Sequence, residues 1–241
     1  QKNIAVMING VPVNDMENSS VYWSNWAGLS DVTSAMQVQR GLGSSKLAIS
    51  SVGGTINVLT RTADMKEGGN VSVGLANDDY LKTLATYSTG KMKNGLSTSI
   101  LLSQTRGDGY VDGTKFQGGN YFVGVGYEFN PKSDIQFTIT GAPQWHNQRY
   151  TAPTIAQYQQ YNGGEVNRRY NSEWGTLNGD EYNFRTNYYH KPIASLNWDY
   201  KFNSTTKLSA VAYGSWGRGG GSSATGGIRG NLFNSNVLRR A

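Results

Sequence analysis

Between Arg40 and Arg61 the sequence RGLGSSKLAISSVGGTINVLTR sets Gly and Ser around charges, the composition of a loop able to cradle a phosphate. The spacing refuses that chemistry. Gly41-Leu42-Gly43 begins a G-x-G, but the third glycine of a dinucleotide fingerprint would fall at Lys46, and the same lysine breaks a P-loop. Nor does an amphipathic helix follow whose N-terminus would meet an anion. Asp78-Asp79 and Asp108/Asp112 are paired carboxylates, yet both pairs fall in turns or loops where such groups are usually solvated. His146 and His190 read as ordinary loop residues, and the chain has no Cys, so neither a thiolate metal site nor a disulfide framework is available. No nucleophile–base–acid set recurs at useful spacing. The expectation is a protein that is not an enzyme and carries no metal or cofactor.

A second group of residues suits binding. The segment 145–190 holds Trp145, His146, Arg149, Tyr150, Arg168 and Arg169, with Tyr158, Tyr161, Tyr170 and Trp174 among them. Aromatics with Arg suit an anionic chelate, a sugar or a peptide alike. Capping the fold or facing lipopolysaccharide is the alternative role. Trp23 and Trp26, in VYWSNW, form either an exposed apex loop that contacts ligand or part of a packed core.

The elements that position these residues read as strands. Gly (31) and Tyr (15) are abundant in the 241 residues, with 37% hydrophobic residues, which suits half-buried strands better than packed helices. The 12% aromatic content argues against disorder. The net charge of +6 is scattered rather than clustered, which excludes a nucleic-acid face. At the N-terminus, Ile4–Ile8, Asn9-Gly10 and Val11–Val13 read as strand, tight turn and short extended piece. A short helix or loop over 29–39 leads into a strand at Met36–Arg40, and Gly54–Thr60 is a further strand.

From about Gly69 onward every second residue is large and apolar. Tyr121, Val123, Val125, Tyr127 and Phe129 alternate with mostly small or charged neighbours, as do Ile135, Phe137 and Ile139, and Ala194 to Phe202. Phe122 and Leu101 break the alternation. Seven strands are expected, near 69–77, 80–90, 95–105, 120–130, 135–145, 192–203 and 206–217. Short turns at 91–95, 130–134 and 203–206 alternate with long polar segments at 106–119, 146–191 and from 217 onward. No apolar run is long enough for a membrane helix, but a barrel crosses with strands. Long loops on one side, short turns on the other, and aromatics gathered beside the short turns are the habit of an outer-membrane barrel. A soluble sandwich shares the alternation and is the competing architecture. An odd number of strands leaves bare edges in lipid, so the chain, which starts at Gln1, is expected to be a piece of a longer protein or to complete its sheet with another chain.

With these residues in place, a resemblance emerges. MQVQRGLGSS (Met36–Ser45) followed by VGGTINVLTR (Val52–Arg61), with INGVP (Ile8–Pro12) upstream, resembles the end of the plug domain of TonB-dependent outer-membrane receptors. Leu42, Gln37 and Leu47-Ala48 depart from that family's usual Pro, Glu and Tyr-Gly. The resemblance implies an all-β chain with a small α+β plug remnant: residues 1–62 the C-terminal part of the plug, residues 63–241 the first seven or so strands of an antiparallel barrel of about 22 strands. It also implies a plug–barrel lock at Arg40, with Gly41, Gly43, Gly53 and Gly54 giving room for close packing and glutamates of barrel strands beyond this chain as its partners, Glu128 being a local candidate by parity; a solvated Arg at a turn is the alternative. The implied function is TonB-energised uptake across a Gram-negative outer membrane of a siderophore, cobalamin, glycan or peptide. The implied partners are TonB (through an absent N-terminal plug half), outer-membrane lipid and lipopolysaccharide, an unidentified ligand, and a surface lipoprotein or larger complex. The alternative is a structural or ligand-binding subunit of an outer-membrane assembly that does not transport.

Overall fold

Asn9 and Gly10 both take positive φ, 51° and 82°, and so turn the chain sharply between β1 (Ala5–Ile8) and β2 (Val11–Pro12). The computed structural model describes residues 3–26, 28–41, 52–60, 62–151, 153–160 and 163–222. Gly43, Arg61 and Tyr161 lie outside them. Two short 3-10 turns, Trp23–Trp26 and Leu29–Val32, lead into β3 (Ala35–Arg40), which pairs antiparallel with β4 (Gly54–Leu59). Strand β4 also runs parallel to β1, giving a small mixed sheet of order β2-β1-β4-β3.

The alternating region forms one large antiparallel meander: β5 (Gly68–Ala76), β6 (Tyr80–Ser88), β7 (Leu96–Gly107), β8 (Phe116–Asn130) and β9 (Ser133–Gly141), then β14 (Ile193–Lys201) and β15 (Lys207–Ser215). All seven strands expected from the period-two pattern are present. The polar segment 146–191 is not a plain loop, however. It contains β10 (Gln144–Asn147), helix α1 (Ile155–Gln160), the hairpin β11 (Trp174–Leu177) and β12 (Asp180–Asn183), and β13 (Thr186–His190); β16 (Arg218–Gly221) follows β15. Strands β10, β13 and β16 continue β9, β14 and β15 beyond breaks at Pro143, Pro192 and Gly217. The register survives each break: Gly141 faces Tyr121 and Gln144 faces Gly118, three residues on along both chains. Proline lacks the N–H a ladder needs, so the pairing lapses without slipping. Both faces of these extensions are polar or aromatic, which hid them from an alternation test.

The register sorts side chains onto two faces. Outward stand Val71, Val73, Ile100, Leu102, Val125, Phe137 and Leu196, all exposed. Outward aromatics collect beside the short turns: Tyr127 and Phe129 have ring centroids 5.0 Å apart, and Tyr200 lies 6.1 Å from Trp198 and 4.9 Å from Phe202. Inward, the sheet is mainly Ser, Thr, Asn and Gln, except where it meets the small sheet. There Leu84, Leu101, Phe122 and Ile193 close a core with Val6, Ile8, Val11, Trp26, Val32 and Val58. The two exceptions to the alternation, Leu101 and Phe122, are 1% exposed and face each other across β7 and β8. Among the described residues the large sheet is open, with β5 and β15 at its edges.

Candidate functional site: seam, cleft and loop cap

A polar seam joins the small sheet to the inner wall. The Asn9 side chain donates to Thr60 Oγ1 at 2.7 Å and accepts from the Thr60 N–H at 2.9 Å. Gln136, on β9, clamps the chain just beyond. Its Nε2 donates to the Thr60 carbonyl at 3.2 Å and its Oε1 accepts from the Thr62 N–H at 3.1 Å. Thr62 Oγ1 meets Ser97 Oγ at 3.0 Å, and Asn197 Nδ2 donates to the Asn9 carbonyl at 2.8 Å. Thr60 and Thr62 are fully buried. A buried backbone leaving one sheet for another must have its polar groups satisfied, and side-chain amides supply the partners here.

The residues expected at a lock take the following places. Arg40 ends β3, an edge strand exposed along its whole length. Glu128 is held by Lys91 at 2.5 Å. Gly53 and Gly54 are tight, but against the small sheet itself: a Cβ on Gly54, at φ 115°, would lie 2.3 Å from the Gln39 carbonyl oxygen, and one on Gly53 would lie 2.9 Å from that of Asn3. Gly41 has open space around it. The seam roles of Asn9, Thr60, Thr62, Ser97 and Gln136 escaped the sequence reading because single polar residues carry no pattern.

Above the seam, a cleft of about 320 Å³ opens between the Trp23–Trp26 turn and the inner wall. Tyr80, Lys82, Phe116, Asn120 and Gln144 line its wall side, and Ser24 and Gly28 its floor. Lys82 pairs with Asp31 of the small-sheet region at 3.6 Å, and Gln144 Nε2 reaches Ser24 Oγ at 3.4 Å. Trp26 is buried in the core, whereas Trp23 is 45% exposed. His146 follows Gln144 on the inner face, its ring nitrogens 3.0 Å from Gln144 Oε1 and 3.1 Å from Gln148 Nε2. Burial pushes its pKa down, so it is neutral at pH 7. Trp145, between these two, has outward parity in the ladder and also borders the cleft. Tyr121 is also outward, its hydroxyl 3.0 Å from His190 Nε2.

The other expected contact residues build a cap of three loops. Arg169 donates to Asp78 at 2.9 Å and Asp112 at 3.3 Å, and lies over the Tyr110 ring at 5.3 Å. Lys115 pairs with Glu181, which also accepts from Trp174 Nε1 at 2.9 Å. The long loop folds around Glu173, a fully buried carboxylate that accepts from the Tyr150 N–H at 2.7 Å and Thr151 Oγ1 at 2.9 Å. Arg185 lies over the Tyr150 ring at 4.9 Å. Arg149 donates to the Tyr158 hydroxyl at 3.2 Å, and Arg168 is exposed.

Replacing Arg169 by alanine should therefore unpin the cap, raising protease cleavage within 148–185 several-fold while the sheet resists unchanged. The Lys115–Glu181 tie bounds the pH range of docking. Hydrogen bonding to Lys115 lowers the Glu181 pKa, so its contribution is complete above the ordinary 4.5 and fades as pH falls through the depressed value. Hydrogen bonding to Glu181 raises the Lys115 pKa, so that half is complete below the ordinary 10.5 and fades as pH rises through the raised value.

No protein-family model and no curated sequence matches the chain. Solved structures do. The ferric-catecholate import receptor Fiu of E. coli K12 aligns over 90% of this chain with a TM-score of 0.68 at 14% identity. The ferric citrate transporter FecA aligns over 93% at 0.65 and 17% identity, and the siderophore receptor PiuA of Acinetobacter baumannii over 90% at 0.64 and 12%. The fold is that of a TonB-dependent outer-membrane receptor. In its terms the small sheet is plug and the meander is barrel wall. The chain spans about a third of the matched receptors: 32% of Fiu and of FecA, 29% of PiuA.

Proposed function

We propose that this chain is the plug seam and first barrel strands of a receptor that imports a ferric chelate across a Gram-negative outer membrane, drawing energy through TonB. Residues 1–62 serve as the C-terminal part of the plug and 63–241 as the start of the barrel. The observation that carries this reading is a sheet apolar on its outer face and sealed on its inner face to a small plug-like sheet by Gln136, Phe122 and Leu101. A soluble sandwich would not leave Val71, Leu102, Phe137 and Leu196 bare on one continuous face. Ferric chelates are favoured because the structures of like fold are named for importing or binding them. The cleft lined by Tyr80, Lys82 and Phe116 presents aromatics to such a chelate, beside the Lys82–Asp31 pair.

The test is uptake of a labelled ferric siderophore by cells expressing the gene product that contains this chain, with and without TonB. Uptake should fall to background without TonB. Retention of the protein in carbonate-washed outer membranes with no TonB-dependent uptake would instead favour a structural or ligand-binding subunit.

A further inference from the structure

Three Asn-Gly pairs lie wholly within the described residues: Asn9-Gly10, Asn94-Gly95 and Asn178-Gly179; a fourth, Asn162-Gly163, lies partly outside them. Such pairs share a latent reaction, because glycine has no side chain to shield its backbone nitrogen from the preceding amide. The structure blocks it at two of them. The Asn9 amide is buried and gripped at both its atoms by Thr60, and the Gly10 N–H donates to Asn57 Oδ1 at 3.1 Å. Asn94 is exposed, but its Oδ1 accepts from the Leu96 N–H at 3.1 Å, and the Gly95 N–H donates to the Met92 carbonyl at 2.9 Å. The third pair is different. Asn178 and Gly179, at φ 55° and 90°, make the exposed two-residue turn between β11 and β12. Among the described residues neither the Asn178 side chain nor the Gly179 N–H has a hydrogen-bond partner, and a Cβ on Gly179 would meet nothing within 4 Å.

We propose that Asn178 is a site of spontaneous deamidation that loosens the loop cap as the protein ages. The Gly179 nitrogen gives up its proton and attacks Asn178 Cγ. The N–Cγ bond forms, the Cγ–Nδ2 bond breaks, and the amide group leaves as ammonia. Water then opens the succinimide at either carbonyl, to aspartate or, with the main chain rerouted through the side chain, to isoaspartate. Isoaspartate adds a methylene to the backbone of a turn only two residues long, and turn length is what fixes the pairing of Leu177 with Asp180. That pairing presents the groups that dock the hairpin on the neighbouring loop. Glu181 holds Lys115 and accepts from Trp174 Nε1, and the Trp174 ring fills the space where a Cβ on Gly113 would stand.

Peptide mapping of the purified full-length protein during incubation at mildly alkaline pH, with isoaspartate located by mass spectrometry, tests the site. In the native protein Asn178 should convert at least about tenfold faster than Asn9 or Asn94, since one hydrogen bond that must first be broken is worth about that factor. In denaturant the three rates should converge. A native Asn178 no faster than Asn94, or the same spread of rates in denaturant, overturns the assignment. Asn178→Gly keeps a Gly-Gly pair suited to this turn and has no amide to lose. Protease cleavage within 148–185 should rise with age in the wild type and hold constant in Asn178→Gly. Equal rises in the two proteins overturn the link to the cap.

Discussion

Replacing Phe122 by alanine should destabilise the protein by about 3–5 kcal/mol, the range for deleting a fully buried aromatic. Phe122 is 1% exposed, faces Leu101 across the ladder, and closes a cluster that includes Trp26, Val32 and Val58 of the plug. The hole left behind would be walled on one side by β-sheet, which cannot collapse inward without breaking its ladder. Val125→Ala, three residues along the same strand on the outer face, is the control. Its side chain is exposed on the outward face and lies outside the buried core, so the denaturant midpoint should scarcely move. The two variants differ in mode as well as size. Loss at Phe122 loosens the plug from the wall, so protease should cut within residues 1–62 before the barrel strands unfold. A Phe122→Ala protein as resistant as Val125→Ala would show that plug and wall are not bound through this core.

That contrast also marks what could be read from sequence. Period-two alternation placed all seven meander strands because one face meets plug and lumen and the other meets an apolar surround, a constraint repeated at every second residue. The same rule made Leu101 and Phe122 stand out. An apolar residue on a polar face has to be buried by something, and here the plug buries it. Asn9-Gly10 was legible for a local reason, since few other pairs accept two successive positive φ angles. Beyond the Pro143 and Pro192 breaks, QWHN and TNYYH pair in continuous register, yet polar side chains on both faces erase the signal. Gln136 lay equally hidden. Its role depends on where the chain from β4 happens to pass, a long-range fact that no local pattern encodes. Arg40 stood out by resemblance alone, and in the described residues it stays at an exposed strand end.

Gly124→Ala should break the seam, and Thr62→Ser should repair it. A Cβ at Gly124 would fall 2.4 Å from Thr62 Cγ2, with the Phe122 ring at 3.0 Å. Thr62 has no freedom to retreat: its N–H is held by Gln136 and its hydroxyl by Ser97. Overpacking of this kind costs about 1–3 kcal/mol, and the lost clamp adds to it if the chain is pushed off the wall. Thr62→Ser removes the offending methyl while keeping the N–H and the hydroxyl, so the double variant should recover most of the lost stability. Gly126 supplies the discriminating control. There a new Cβ would meet Ser97 Oγ at 2.6 Å and Thr62 Oγ1 at 2.8 Å, atoms that Thr62→Ser leaves in place. Gly126→Ala should therefore stay destabilised in the Thr62→Ser background. Unfolding midpoints of the single and double variants form two cycles, one strongly coupled and one additive. Additivity in both would mean that Gly124 is required for the backbone of β8 itself and not for the passage of the chain from plug to barrel.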